Sequence, residues 1–410
     1  MGYHRGWTRI RITDRVQPEQ LGRAILDSSL LLEGFFGPDA ERPANYFRGP
    51  TKGWVMNSVP QVMAEGSANQ SMARSARSKA PVFVLGSGRS GTKLLYHMLL
   101  SSGGFAIYHS ESNVFNLLGL RFGNLSKRAS RRRLLDSWLR SPLFYRSGLT
   151  REEIEPRIME ECHNAGDFLR ILMEAIAHKQ GVERWAECTP NHLLYLPLIK
   201  QLFPDALIVH IVRDGRDVTV SLQRIGWIRP LPWDRKRALF APAIFWHWIV
   251  SKGRKYGKRM GGDYMEVRYE DLVQNPRPTL ARIGAFIDHD LDYDRIQKNP
   301  LGAVKKPNSS FRGDGGEKES NALGRWKTVL SPDETAQMES IIGDLLTELD
   351  YPLATPAAQR HRGLPLSFMR WFYPIYYDVK LWLKTYTPLA RTAAIGIMKI
   401  SDPPGGGAAS

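Results

Sequence analysis

Residues 82–100 read VFVLGSGRSGTKLLYHMLL. An apolar run ends at Gly86, a turn rich in glycine and hydroxyl residues follows, and an apolar pattern with helical spacing resumes after it. This order of strand, glycine-rich turn and helix predicts a phosphate-binding loop, because backbone N–H groups and the helix N-terminus then face one anion. The groups available to that anion are the backbone of Gly86, Gly88 and Gly91 and the hydroxyls of Ser90 and Thr92.

The position of the lysine argues against an ATP or GTP site. In the Walker A pattern, G-x-x-x-x-G-K-[ST], the lysine directly follows the second glycine and precedes a hydroxyl that binds magnesium. Gly86 and Gly91 have that separation, but Thr92 comes next, and Lys93 is one place late with no hydroxyl after it. Arg89, inside the loop, offers a planar guanidinium to a charged oxyanion. A kinase or nucleoside triphosphatase of the P-loop type remains the alternative.

The composition is that of a globular protein with a strong positive charge. The 410 residues are 42% hydrophobic, and 57 Lys and Arg against 41 Asp and Glu give a formal net charge of +16. This charge favours anionic partners such as a polyanionic nucleotide, nucleic acid or an acidic membrane face. Cys162 and Cys188 have no Cys or His at metal-ligand spacing, so we expect reduced thiols and no metal.

Further strands and helices follow the loop. Apolar strands are predicted at about 206–212 and 264–269, and helices at 126–160, 167–180 and 331–350. Strands alternating with helices predict an α/β fold with a P-loop-like parallel sheet flanked by helices. In such a sheet, the loops after the first strand and after residue 212 should lie together at the carboxyl edge.

Composition divides the chain into three parts. These are an N-terminal extension and linker at 1–80, an α/β domain at 81–353, and a basic, aromatic, helical C-terminal extension at 354–410 with a disordered end. Segment 364–400 has two interpretations: it lies in a membrane interface, or it packs on the core or a second subunit. The first residues lack the apolar core of a secretory signal, so a cytoplasmic or peripheral membrane location is expected.

A second motif follows the strand at 206–212. Residues 213–224 read RDGRDVTVSLQR, which again predicts a strand, a short turn and a helix. Arg213 at the strand end and Ser221 within the helix can converge on one phosphate.

Together the two motifs resemble those of sulfotransferases that use 3′-phosphoadenosine 5′-phosphosulfate (PAPS). The loop G-x-x-R-S-G-T-x-L-L is similar to the 5′-phosphosulfate loop of the branch that contains tyrosylprotein and many bacterial sulfotransferases. By this resemblance the 5′-phosphosulfate would be bound by Gly88, Arg89, Ser90, Gly91, Thr92 and Lys93. Arg213 and Ser221 would bind the 3′-phosphate, the group that distinguishes PAPS from ordinary adenine nucleotides.

Three weaker matches follow in the family's order, so that the resemblance covers about 81–353. Residues 185–206 resemble its W-x-E-K-T-P…F-P-D-A stretch, 267–276 its Tyr-Glu-Asp-Leu, and 323–334 its closing Arg-Trp-Lys. The resemblance places Tyr269 near the nucleotide and has Arg325 reach back to it. One departure is Cys188, where the family has lysine, and Lys93 is our candidate for the missing cation.

The resemblance also implies a reaction and a base. Residues 105–115 read FAIYHSESNVF, where Glu111 matches the base proposed for the tyrosylprotein-like branch and His109 is its rival. We expect in-line transfer of a sulfonate from PAPS to a hydroxyl of a carbohydrate, lipid-linked or peptide acceptor, with release of 3′,5′-ADP (PAP). Glu111, Arg89 and Lys93 would be catalytic, without a required metal or a nucleic-acid partner. A homo-oligomer and a non-catalytic, membrane-associated nucleotide-binding module stay open.

Overall fold

The centre of the molecule is a parallel β-sheet. The structure is a computed structural model that describes residues 77–231, 238–306, 323–360 and 364–387. Its strands are β1 (Val82–Leu85), β2 (Phe105–Ala106), β3 (Arg184–Glu187), β4 (Leu207–Val212) and β5 (Tyr264–Arg268). Within these described ranges they form one five-stranded sheet in the order β2-β3-β1-β4-β5, and every neighbouring pair is parallel. The predicted P-loop-like α/β fold is confirmed.

Helices connect the strands and cover both faces of the sheet. Up to β4 they are α1 (Thr92–Ser101), α2 (Gly119–Arg121), α3 (Arg128–Leu139), α4 (Pro142–Ser147), α5 (Arg151–Glu161), α6 (Ala165–Lys179) and α7 (Leu196–Leu202). After β4 they are α8 (Gly215–Ile225), α9 (Phe240–Gly257), α10 (Tyr269–Gln274), α11 (Pro276–Ile287), α12 (Tyr293–Lys298), α13 (Trp326–Val329), α14 (Pro332–Glu348) and α15 (Leu364–Tyr386).

Most predicted elements are present, with two differences. The region 126–160 is not one helix but α3, α4 and α5, because Pro142 starts a new helix and Thr150 caps the next one. Strand β3 was not predicted. Its end residues are charged, and Arg184 is buried only because its guanidinium donates to the carbonyls of Ala80, Arg77 and Ile287.

The central strands are apolar on both sides because helices cover both. All four residues of β1 and all six of β4 are buried. One face packs against α1 and α11, and the other against a larger core that includes α6, α9 and α14. Helix α14 closes the fold as expected, with Pro332 as its first residue and a capping box between Ser331 and Glu334.

The C-terminal extension is helical where the structure describes it. Helix α15 packs on the core through Met369, Tyr373 and Tyr377. None of the helices in the described ranges is long and apolar enough to cross a membrane. The proposed linker before residue 77 and the proposed disordered end after residue 387 lie outside the described residues.

Candidate active site

The loop between β1 and α1 has the backbone of an anion-binding turn. Arg89 and Gly91 both adopt positive φ angles, 72° and 96°, and α1 begins at Thr92 directly afterwards. At Gly91 a Cβ atom would lie 2.3 Å from the ring of Tyr269, so only glycine fits there. Beside Gly88, the ring of Trp227 lies 3.5 Å from the place of a Cβ atom. The ring of Tyr269 therefore excludes a side chain at Gly91, whereas the ring of Trp227 borders Gly88 at an ordinary contact distance.

A buried hydroxyl in the loop indicates a missing polar partner. The Oγ of Ser90 is buried and has no hydrogen-bond partner among the described residues. Buried polar atoms are nearly always satisfied, so such an atom at the start of a helix fits the binding of an anion from outside the chain.

The second motif meets this loop. Arg213 follows the end of β4, and Ser221 lies within α8. Nε of Arg89 donates to Oγ of Ser221 over 3.0 Å, and Nη1 of Arg213 donates to the carbonyl of Arg89 over 3.2 Å. Three residues that the sequence assigned to two phosphate groups thus lie in one continuous site.

Tyr269 and the segment around Arg325 complete this side of the site. The guanidinium of Arg213 stacks on the Tyr269 ring at 4.7 Å. Asp217 of α8 accepts hydrogen bonds of 2.9 Å from the backbone N–H groups of Gly324 and Trp326. These bonds hold Arg325, which lies between the two donors, against α8.

The charge of Arg213 acts on two other guanidinium groups of the site. Burial lowers the pKa of Arg89, and the charge of Arg213 lowers it further. The same two causes, in the same order, lower the pKa of Arg325. Buried guanidinium groups that lie close together form a favourable site for an anion, because a bound anion would offset the repulsion between their charges.

Lys93 and the candidate base Glu111 lie in contact. Nζ of Lys93, in the first turn of α1, is 3.1 Å from Oε1 of Glu111, and the two side chains are 45% and 28% exposed. The ring of His109 is exposed and lies 5.8 Å from that of His97, one turn further along α1. Glu111 is therefore the candidate that touches a residue of the predicted anion site.

A buried network around Glu187 positions the loop that carries Glu111. Glu187 ends β3, and its carboxylate accepts from Oγ of Ser112 over 2.8 Å and from the N–H of Thr189 over 3.0 Å. The hydroxyl of Thr189 donates to it as well, and accepts from the N–H of Asn113 over 3.2 Å. The two residues after Glu111 are thus tied to the end of β3. The motif W-A-E-C-T-P at residues 185–190 is visible in the sequence, but it indicated no role for Glu187 or Thr189.

Glu187 also forms a buried pair with a histidine. Nδ1 of His192 is 3.0 Å from Oε2 of Glu187, and both side chains are almost fully buried. Burial would raise the pKa of Glu187, but the charge and hydrogen bond of His192, together with Thr189, lower it to about 2. The ionised carboxylate therefore stabilises the folded state.

We predict that Glu187→Gln lowers the free energy of unfolding at pH 7 by about 3 kcal/mol. The glutamine amide would face the donors of Ser112 and Thr189. Because the folded pKa is depressed, this stabilisation is present above the ordinary value of 4.5 and is lost as pH falls towards about 2. Urea unfolding at several pH values measures this contribution. The difference in the free energy of unfolding between parent and variant should become smaller below about pH 4.5. Substitution of the exposed Glu160 is the control, and an equal loss there would contradict the assignment.

Cys188 brings no charge to the site. Burial raises its pKa well above the usual value, and the nearby carboxylates of Glu187 and Glu111 raise it further. The thiol is therefore neutral beside the Lys93–Glu111 pair, and Lys93 is the cation that contacts the candidate base.

The second arginine of the RDGRD motif, Arg216, holds elements of the fold together. Arg216 is buried, bonds to Asp214 at 2.7 Å and to Glu339 at 2.6 Å, and stacks on Trp326 at 3.9 Å. It joins α8 to α14 and to the segment that carries Arg325. The resemblance assigned Arg213 to the 3′-phosphate and gave no role to Arg216.

A model of a known protein family matches the part of the chain that contains both motifs. The protein-family model described as "Sulfotransferase family" matches residues 81–294, which are more than half of the chain. Sulfotransferase 1B1 of Mus musculus is 23% identical over 161 residues, in an alignment that covers 33% of this chain and 52% of that protein. The chain spans about half the length of the curated relatives it matches.

Solved sulfotransferase structures are also similar to the chain. The sulfotransferase domain from the curacin biosynthetic pathway has 16% identity and a TM-score of 0.44, and covers 67% of this chain and 98% of its own. The sulfotransferase domain from the Synechococcus PCC 7002 olefin synthase has 18% identity and a TM-score of 0.37, with coverage of 73% and 94%. The family match includes both the loop at Gly86 and the motif at Arg213. The chain belongs to the sulfotransferase family.

Proposed function

We propose that the protein transfers a sulfonate from PAPS to a hydroxyl group and releases 3′,5′-ADP. The main support for this proposal is that Arg89, Arg213 and Ser221 lie in contact, linked by hydrogen bonds of 3.0 and 3.2 Å. A phosphate loop alone would suit many nucleotides. The guanidinium of Arg213 beside the loop suits a donor that carries anionic groups at both its 5′ and 3′ positions.

The residues present fit the two ends of this donor. The loop residues, with the buried hydroxyl of Ser90 and the N-terminus of α1, would hold the 5′-phosphosulfate. Arg213 and Ser221 would hold the 3′-phosphate. A hydroxyl that accepts from a guanidinium, as Ser221 does from Arg89, can still donate its own proton to an anion. Tyr269 and Arg325 would border the nucleotide.

The reaction requires a base and cations around the sulfonate. The acceptor oxygen forms a bond to sulfur while the bond from sulfur to the 5′-phosphate oxygen breaks, and that electron pair leaves with the phosphate. Glu111 would take the hydroxyl proton. Arg89 and Lys93 would stabilise charge on the sulfonate and the leaving phosphate. Cys188, where the family has lysine, supplies no cation for this purpose. No step needs a metal or a change of oxidation state.

We extend the proposal to the acceptor and the location. The acceptor would be a hydroxyl of a carbohydrate, a lipid-linked molecule or a peptide. The protein would act in the cytoplasm or at a membrane surface, alone or as a homo-oligomer, without a nucleic-acid partner.

Thermal unfolding with nucleotides tests the donor assignment. A ligand that binds only the folded state at about 100 times its Kd stabilises it by about 2.7 kcal/mol. We expect PAP to raise the melting temperature well above the value with ADP, because ADP lacks the 3′-phosphate. ADP, ATP, and ATP with Mg²⁺ are the matched comparisons. A shift that needs ATP and Mg²⁺, or equal shifts with PAP and ADP, would contradict the proposal and favour a P-loop kinase or triphosphatase.

A further inference from the structure

Helix α15 exposes a continuous row of large apolar side chains. Each is between 43% and 63% exposed: Phe368, Trp371, Ile375, Val379, Trp382 and Tyr386. We call these six residues the aromatic face.

The spacing of the aromatic face places it on one side of the helix. Successive members are three or four residues apart, and Tyr386 lies 18 residues after Phe368, which is five turns at 3.6 residues per turn. At about 1.5 Å per residue the row is about 27 Å long. The row therefore runs along the axis of the helix.

The rest of the protein fixes the other side of α15. Tyr377 donates to the carbonyl of Ala241 over 3.0 Å, and Nε1 of Trp248 donates to Asp378 over 2.8 Å. Arg370 pairs with Asp344 at 2.9 Å. These contacts prevent the helix from turning its aromatic face into the core, so that this face stays towards the surroundings.

The chemistry of the segment matches an anionic lipid surface. Trp, Tyr and Phe, which make up four of the six members, are the side chains that favour the boundary between lipid headgroups and acyl chains. Residues 360–400 contain seven Lys and Arg against one Asp. Burial lowers the pKa of Lys380 to about 8 and of Lys384 to about 7, but the segment keeps a positive excess without them.

We propose that the aromatic face docks the protein on an anionic lipid bilayer, with α15 lying in the interface. Apolar surface contacting the bilayer and the positive charge of the segment would both contribute to binding. This inference is independent of the proposed reaction, since no residue of the aromatic face belongs to the candidate active site.

Vesicle flotation with the full chain tests this docking. We expect the protein to float with phosphatidylcholine vesicles that contain phosphatidylserine, and less with phosphatidylcholine alone. Trp371→Ser and Trp382→Ser should each lower the partition coefficient by about tenfold, because each removes an aromatic ring from the interface. Tyr145→Ser is the matched control, since Tyr145 is a 58% exposed aromatic side chain on α4 that is not in the aromatic face. An unchanged melting temperature shows that the variants are folded.

Three results would overturn the proposal. The first is parent protein that stays with the soluble fraction, and the second is a double Trp variant that floats like the parent. The third is a dimer in solution, seen by analytical ultracentrifugation, that the double variant converts to a monomer, because a second copy would then cover the aromatic face.

Discussion

Arg213→Ala is expected to weaken PAP binding by about 100-fold. Arg213 is buried beside the carbonyl of Arg89 and the ring of Tyr269, where its guanidinium would contact the 3′-phosphate. Two charge-assisted hydrogen bonds to a phosphate contribute about 1.5–3 kcal/mol each, so losing them outweighs any relief of repulsion with Arg89. Titration calorimetry with PAP and with ADP measures the effect.

The comparison with ADP separates this prediction from general damage to the site. ADP has no 3′-phosphate, so its affinity should change much less than that of PAP. Arg229→Ala is the control, because Arg229 follows the same helix, is exposed, and donates to the carbonyl of Gly226 over 3.2 Å. If the Arg213 variant binds PAP like the parent, or loses PAP and ADP equally, the assignment of the 3′-phosphate site fails.

Glu111→Gln is expected to lower the rate of transfer by about 10²–10⁴-fold while PAP affinity stays within about twofold. The substitution keeps the shape of the side chain but removes the carboxylate that would accept the proton of the acceptor hydroxyl. Stability should change little, because the Lys93–Glu111 pair is partly exposed and such pairs contribute about 0–1 kcal/mol. The measurement is transfer of labelled sulfonate from PAPS to an acceptor found by screening hydroxyl compounds.

His109→Gln is the matched variant for this test. It removes the rival base on the same loop and should leave most of the transfer rate. A large loss with the His109 variant and a small one with the Glu111 variant would reverse the two roles. A loss of PAP binding with Glu111→Gln would instead indicate that this carboxylate serves only to hold Lys93.

The motifs of the candidate anion site could be recognised in the sequence because their signals are local. Gly86, Gly88 and Gly91 mark a turn, and Arg213 stands at the point where an apolar strand ends. The order of strand, turn and helix then places both motifs at one edge of a parallel sheet. The structure brings Arg89, Arg213 and Ser221 together as this order predicts.

The parts that the sequence did not reveal depend on distant partners. Strand β3 lacks an apolar pattern at its ends, since Arg184 and Glu187 are buried through hydrogen bonds to residues far along the chain. Arg216 lies three residues after Arg213, and its contacts with Glu339 of α14 and with the ring of Trp326 give it a structural position. A buried charge is stable only where other parts of the chain supply hydrogen bonds or an opposite charge. The sequence around the charged residue does not show which distant residues do this.

The same distinction applies to the C-terminal helix. Its composition indicated a helix with both apolar and cationic residues, but two of its sides are rich in aromatic side chains. Packing on the core buries Met369, Tyr373 and Tyr377 and leaves the aromatic face outside. The sequence by itself determined strands β1, β4 and β5 and the two strand–turn–helix motifs, because short-range patterns of glycine, charge and hydrophobicity encode them. Only the tertiary structure decided which charges are structural and which helix side is exposed, because burial depends on what the folded chain packs against each residue.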